Sequence, residues 1–402
     1  MATSLELGKV PATLGELPSK MKAVVIRPDR LGPPSQSMRI EEVDLPPVGA
    51  TEVLVLVMAA GVNFNGVWAA QGKPVNIMKY TGYDFHIAGS DASGIVWKVG
   101  SEVRNWKVGD EVILHCNQAC GQCAACNGLD PMACEEQKIW GYETNWGSFA
   151  QFTKVQAQQL LRKPKHLTWE AAASYGLTFF TAYRMLFTRA KIQPGQWVLV
   201  WGAAGGLGAF AVQLCRLAGA NAIGVVSSAD KMDMVKELGA AGAINRKDFK
   251  FPNGIAKTPD EKSAESKAMR AFGAKLREFT GGRDVDVVFE HVGQETFPTS
   301  VFCVKKFGKV VICGATSGYE LNFDVRYLWM RQKDILGSHF ANAYECSQAN
   351  ELVIQKKILP TLDQTFKFEE TPLAHQLMME NKHKGKMAIL VQAPGTGQGA
   401  KG

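Results

Sequence analysis

Apolar and polar positions change rhythm twice along the chain. From Met21-Lys22-Ala23-Val24-Val25-Ile26 onward, short apolar runs such as Glu52-Val53-Leu54-Val55-Leu56-Val57 and Gly94-Ile95-Val96-Trp97-Lys98-Val99 are cut apart by turns at Val48-Gly49 and Val108-Gly109-Asp110. Runs of this kind between glycine and proline punctuation are strand signals, so a β-barrel-like first domain is expected behind a polar, loosely held leader. From about Ala171 the grammar differs. A helix-compatible stretch to Arg189 leads to the buried-strand run Trp197-Val198-Leu199-Val200-Trp201, a glycine cluster, an amphipathic helix over 209–218 and a second strand over 222–226. Strand, glycine turn, helix, strand is one βαβ unit of a parallel sheet. The alternation continues with a helix over 231–238 and strands over 286–290 and 309–313. A charged insertion, 248–275, is too long for an ordinary loop, and its helical second half makes it a wall or tether. After about Gly337 the chain is expected to return to the first domain, ending in a strand over 387–391 and a glycine-rich tail from Pro394. The expected class is therefore α/β, with one domain from 1–175 and 338–402 and another from 176–337.

With 402 residues, 46% apolar and 21% charged, the composition is globular. The formal charge of +7 is spread without a run of five basic residues, which argues against a nucleic-acid or membrane-surface role and favours a polyanionic small molecule. No apolar stretch approaches the roughly 18–20 residues of a membrane span, and the start lacks the apolar core of a signal peptide. A cytoplasmic location is expected.

Two motifs carry chemistry. In Trp201-Gly202-Ala203-Ala204-Gly205-Gly206-Leu207-Gly208, Ala203, Gly205 and Gly208 take the three small-residue positions of a dinucleotide fingerprint between a strand and a helix. Gly206 and Leu207 open that helix, whose free N–H groups suit a pyrophosphate. About twenty residues on, where an acidic residue would bind a ribose 2′-hydroxyl, the chain has Ser227, Ser228 and Lys231, which fit a 2′-phosphate and so NADPH. A helix N-cap at Ser228 with a solvated Lys231 is compatible with the same residues. The second motif is Cys120-x2-Cys123-x2-Cys126-x7-Cys134, in a lobe over 116–135. Four thiolates in so short a span suit a structural tetrahedral zinc, with free thiols as the alternative; the other five cysteines read as packing residues.

Together these features resemble the medium-chain dehydrogenase/reductase superfamily, which implies a GroES-like β-barrel catalytic domain split around a Rossmann domain. In its zinc alcohol dehydrogenases a Cys and a His hold a catalytic metal; here Asn65 and Ser90 stand at those positions, so no Lewis acid is available to ionise an alcohol. A narrower resemblance, to the crotonyl-CoA carboxylase/reductases, rests on Asn63-Phe64-Asn65-Gly66-Val67-Trp68, Ile139-Trp140-Gly141-Tyr142-Glu143-Thr144-Asn145-Trp146-Gly147, Phe289-Glu290-His291-Val292-Gly293-Gln294-Glu295-Thr296-Phe297, Arg326-Tyr327-Leu328-Trp329-Met330 and Gly337-Ser338-His339-Phe340-Ala341-Asn342.

That resemblance implies NADPH-dependent reduction of an α,β-unsaturated acyl-CoA and capture of the resulting enolate by CO2. It also implies a CO2 pocket of Asn65, Tyr142, Glu143 and His339, in which Tyr142 stands for a family Phe. The Tyr142 hydroxyl is expected either to admit water or to bond Glu143. Each of these residues also has a plain structural reading: Asn65 as a helix-start residue, Glu143 as partner of a backbone amide, His339 as a satisfied histidine between the domains. Arg277, Lys306, Arg326 and Tyr327 match family positions that contact CoA or couple subunits, and a homotetramer or homodimer is implied. The competing functions are a non-carboxylating reductase of acrylyl-CoA or crotonyl-CoA and a redox-inactive protein of the same superfamily.

Overall fold

The computed structural model describes residues 4–252 and 254–401, so Met1–Thr3 of the leader, Asn253 of the insertion and Gly402 of the tail lie outside the described residues. The chain divides into two compact units, Met1–Leu177 with Ala341–Gly402, and Thr178–Phe340. Among the described residues no helix is long and apolar enough to cross a membrane.

In the first unit the strand Glu52–Gly61 is central, because antiparallel strands pair with it on both sides: Ala92–Val99, Phe152–Gln156 and Lys386–Leu390. Side chains alternate along a strand, and here both faces are covered. Val53, Val55 and Val57 enter one apolar cluster with Val96, Trp140 and Met387, while Leu54, Leu56 and Met58 enter another with Trp97, Phe152 and Trp169. This is why the run reads as continuously apolar.

The described part of the leader is not loose. The Gly8 amide donates to the Val391 oxygen at 3.0 Å, and the Gln392 side chain donates to the oxygens of Glu6 and Lys9 at 3.1 and 2.8 Å. Leu5, Val10 and Leu17 pack against the core. The tail is held too, by the buried Lys163 ammonium, which donates to the Gly399 oxygen at 2.7 Å and lies 4.7 Å from the Trp169 ring centroid. Isolated Leu or Val in a polar stretch gives no periodic signal, so sequence reading missed this packing.

The unit buries three neutral histidines, His86, His115 and His375, each pushed down to about 4 by desolvation. Their pKa in the unfolded chain lies near 6.5, so as pH falls below that value the unfolded chain takes protons that the folded chain refuses. Each histidine then costs about 1.4 kcal/mol of stability per pH unit until pH reaches about 4. Melting temperature measured against pH is expected to fall steeply between pH 6.5 and 4 and to be flat from 7 to 8. Replacing one of the three by Gln should flatten the acid limb.

The second unit is a six-stranded all-parallel sheet with spatial order Gly242–Asn245, Asn221–Val226, Trp197–Val200, Val285–Glu290, Val304–Ile312, Asp334–Gly337. The order reverses between the first strand in sequence and the fourth, so the Rossmann switch point lies beside the Trp197–Val200 strand. The insertion becomes the helix Pro259–Thr280, started by a Thr258–Glu261 capping box and stopped at Gly281 in the left-handed region (φ 66°).

Candidate active site

Asn65 sits in the first turn of the helix Phe64–Gln71, which ends where Gly72 turns left-handed (φ 64°). Asn63, just before it, does not cap the helix. Its Nδ2 donates to Asp91 at 2.8 Å and its Oδ1 accepts from the Lys386 ammonium, which also donates to the Val62 oxygen at 3.0 Å and lies 3.4 Å from Asp91. Lys386 and Asp91 are each 1% exposed, and the added hydrogen bonds are what make so deeply buried a pair tolerable. One step on, Asn65 Nδ2 donates to the fully buried Ser90 Oγ at 2.6 Å. Asn65 Oδ1 is buried with no hydrogen-bond partner among the described residues. Its lone pairs are therefore open to a further donor.

Tyr142 and Glu143 lie in the turn that follows the short strand Lys138–Ile139, with the Glu143 amide donating to the Ile139 oxygen and Glu143 Oε2 accepting from the Ile139 amide at 2.7 Å. One carboxylate oxygen thus has the plain backbone role. Gly141 in this turn has φ 71°, and a Cβ there would lie 1.8 Å from the Gly89 oxygen. Only glycine allows that approach. The Gly89 amide donates to the Gly141 oxygen and the Ser148 amide to the Gly89 oxygen, so the segments carrying Ser90 and Glu143 are joined directly. The Tyr142 hydroxyl donates to the Lys73 oxygen at 2.7 Å, just past the Asn65 helix, and not to Glu143.

In the second unit the fingerprint loop turns at Gly202 (φ 55°), one residue before the first position read from sequence. The Ala203 amide donates to the Val225 oxygen, and Gly205 is the extended N-cap of the helix Gly206–Leu217, with Leu207 in its first turn. A Cβ on Gly208 would sit 2.4 Å from the Gly202 oxygen, which explains the third small residue. The neighbouring strand ends at Val226, followed by half-buried Ser227 and Ser228; Lys231 Nζ reaches Ser227 Oγ at 3.4 Å. The next helix starts at Asp230 with Ala229 before it, so Ser228 is not its N-cap. His291, unremarked in sequence, places Nε2 2.9 Å from the Trp201 oxygen under Gly202. His339 follows the strand Asp334–Gly337, ring against Phe340 at 4.4 Å between centroids. Desolvation, aided by the Arg184 guanidinium, holds its imidazole below 6.5 and so neutral at pH 7.

A cavity of about 330 Å³ in this unit is lined by Arg277, Lys306 and Tyr327, together with Arg270, Arg331 and Lys333, which sequence reading missed. Charged residues scattered over sixty positions give no local signal. Arg277 is braced by Asp284 at 2.7 Å, and burial lowers the Lys333 ammonium to about 8. Arg326 is not in the lining; its guanidinium pairs with Asp324.

Residues 49–165 match the alcohol dehydrogenase GroES-like domain and residues 206–355 the zinc-binding dehydrogenase domain. The crotonyl-CoA carboxylase/reductase of Cereibacter sphaeroides is 55% identical over 397 residues, covering 98% of this chain and 92% of that protein. This chain belongs to the crotonyl-CoA carboxylase/reductase family. A solved structure described as crotonyl-CoA carboxylase/reductase superposes with a TM-score of 0.92 at 51% identity, covering 98% of this chain and 93% of the other. Another, of the 2-octenoyl-CoA carboxylase reductase CinF with NADP and 2-octenoyl-CoA, has a TM-score of 0.91 at 37% identity, covering 96% and 91%.

Within this family chain the cysteine lobe is compact. The sulfurs of Cys120, Cys123, Cys126 and Cys134 all lie within 4.8 Å of one another, with Cys120–Cys126 at 3.9 Å and Cys123–Cys126 at 3.6 Å. A tetrahedral ion with bonds of about 2.3 Å needs sulfurs roughly 3.8 Å apart, so the donor set fits. Cys116, Cys215, Cys303 and Cys346 are buried and Cys313 half-buried.

Proposed function

We propose that this chain reduces an α,β-unsaturated acyl-CoA of the crotonyl-CoA type with NADPH and joins the product to CO2, yielding an alkylmalonyl-CoA. The observation that carries the reading is the buried Asn65–Ser90 pair, a neutral amide and hydroxyl where a metal-dependent alcohol dehydrogenase needs its metal ligands. Ala203, Gly205, Gly206, Leu207 and Gly208 would hold NADPH, with Ser227, Ser228 and Lys231 at its 2′-phosphate, and the cofactor would supply hydride to Cβ.

Charge then develops on the thioester oxygen and Cα, and any proton donor competes with CO2 for that electron pair. Asn65 donates an N–H to one CO2 oxygen, while Glu143 and His339 hold a water for the other. The remaining requirement is the absence of acids. His339 is neutral at pH 7 and so is no imidazolium acid, and Tyr142 directs its O–H proton to the Lys73 oxygen, so its ring screens water without supplying a proton.

Arg277, Lys306 and Tyr327 receive the CoA phosphates in their cationic cavity; Arg326, held by Asp324, braces the start of the Tyr327 helix. Binding remote phosphates lowers KM through contacts that crotonyl-pantetheine lacks. Arg277→Ala is expected to raise KM for crotonyl-CoA about tenfold and leave KM for crotonyl-pantetheine unchanged in steady-state assays. Equal effects on both substrates count against the assignment.

Cys120, Cys123, Cys126 and Cys134 would hold a structural zinc with no open position, and therefore no catalytic step. Elemental analysis should find about one zinc per chain, absent from Cys126→Ser, whose melting temperature falls. A second copy of the chain adds to the edge strand Asp334–Gly337, beside exposed Phe307, Trp329 and Met330, giving a homodimer or homotetramer. A reducing cytoplasm, which keeps thiolates available to a metal, suits the four-cysteine cluster.

The direct test follows NADPH oxidation with crotonyl-CoA and acrylyl-CoA, with and without bicarbonate plus carbonic anhydrase, and identifies products by mass. Alkylmalonyl-CoA at saturating CO2 is the expected product. Saturated acyl-CoA alone would make the protein a plain enoyl-CoA reductase.

A further inference from the structure

Ser90 has no role in the chemistry above, yet its side chain is fully buried and its Oγ lies 2.6 Å from Asn65 Nδ2. A carboxamide can turn about its last side-chain bond, and its two ends differ: one donates, the other accepts. Asn65 Oδ1 makes no hydrogen bond among the described residues, so no described residue fixes the group on the oxygen side. Among the hydrogen bonds of this side chain, the one to Ser90 sets which way the remaining N–H faces.

The backbone makes that contact stiff. The Gly61 amide donates to the Asp91 oxygen at 3.1 Å, and a Cβ on Gly61 would lie 2.8 Å from Asp91 Cβ and 2.3 Å from the Ala173 oxygen. The two segments are therefore at closest approach just before Asn65 and just after Ser90. Asn63–Asp91, tied to Lys386, is a second bond between the same segments. The backbone that carries Ser90 is thus held by contacts that do not depend on Asn65.

We propose that Ser90 is a positioning residue for carboxylation: it holds the Asn65 carboxamide in the orientation that presents an N–H to CO2, and so governs whether the enolate is carboxylated or protonated. It acts on CO2 capture and leaves hydride delivery alone. The proposal rests on the carboxylase reading above.

The test is a double-mutant cycle on the partition of product between alkylmalonyl-CoA and saturated acyl-CoA. Ser90→Ala is expected to keep NADPH oxidation within about twofold, to raise the CO2 concentration for half-maximal carboxylation about tenfold, and to increase saturated product. In an Asn65→Leu background the same Ser90→Ala change should add nothing, because there is no carboxamide left to orient. A merely structural role would show instead as equal loss in both backgrounds, and that result overturns the proposal. So does wild-type partition in Ser90→Ala. Should the alanine variant fail to fold, Ser90→Cys, of similar shape and with a weaker acceptor, must give an intermediate partition; wild-type behaviour there is equally fatal. If the wild-type enzyme yields only saturated product, the carboxylase reading itself fails; if it carboxylates and the variants match it, the role of Ser90 alone fails.

Discussion

Asn65→Leu is expected to convert the enzyme into a reductase: at saturating CO2 the ratio of alkylmalonyl-CoA to saturated acyl-CoA should fall by about ten- to a hundredfold, while NADPH oxidation persists. Leucine has the same branched skeleton as asparagine, with two methyl groups in place of the carboxamide oxygen and nitrogen, and leucine is a good helix former, so the Phe64–Gln71 helix is expected to persist. What disappears is the N–H. The enolate is still expected to form, because the proposed NADPH loop, Gly202–Gly208, belongs to the other unit and keeps its sequence. A hydrogen bond made to charge developing in a site shielded from water contributes about 1.5–3 kcal/mol, which sets the range. Product mass spectrometry at several CO2 concentrations checks it, with thermal melting as the control for folding. Complete loss of NADPH oxidation in a folded variant would move Asn65 from CO2 capture to substrate binding.

The largest effect on stability is expected from Lys386→Met. The ammonium is 1% exposed and has as its partners the Val62 oxygen, Asn63 Oδ1 and Asp91. Methionine fills the space but leaves the Asp91 carboxylate buried without its counter-charge. Breaking one half of such a pair costs about 3–5 kcal/mol. In a unit of this size that is a fall in melting temperature of about 10 °C. Burial already pushes the Asp91 carboxyl up, so in the variant it takes a proton readily, and the loss shrinks as pH is lowered. Lys386→Met combined with Asp91→Leu should recover much of the loss. If the single variant melts with the wild type, the pair contributes little and the welding of the Asn63 and Asp91 segments must come from main-chain contacts alone.

How much of this was legible beforehand differs by element. The βαβ unit, the glycine loop and the helical half of the insertion follow from local signals: a β-branched run, small residues at a strand–helix junction, a Thr-Pro-Asp-Glu helix start. The leader was misread because its few apolar residues have no period. Tyr142 was expected to reach Glu143 or water, yet it reaches the Lys73 oxygen, a main-chain atom whose position no residue type announces. Of the four residues matched to family positions that contact CoA or couple subunits, Arg277, Lys306 and Tyr327 line the cationic cavity with Arg270, Arg331 and Lys333, while Arg326 lies outside the lining and pairs with Asp324.

By itself the sequence determined the class of fold, the family, the glycine loop between strand and helix and the clustered thiols, because each depends on residue type at short spacing. Tertiary structure decided which polar groups meet. Asn65 finds Ser90 across twenty-five positions, Asn63 finds Asp91 and Lys386, and the turn at Gly141 closes on Gly89 only because residue 141 has no side chain. Contacts of that range form when the chain has already paid the entropy of closing its loops, and no local pattern encodes where they fall.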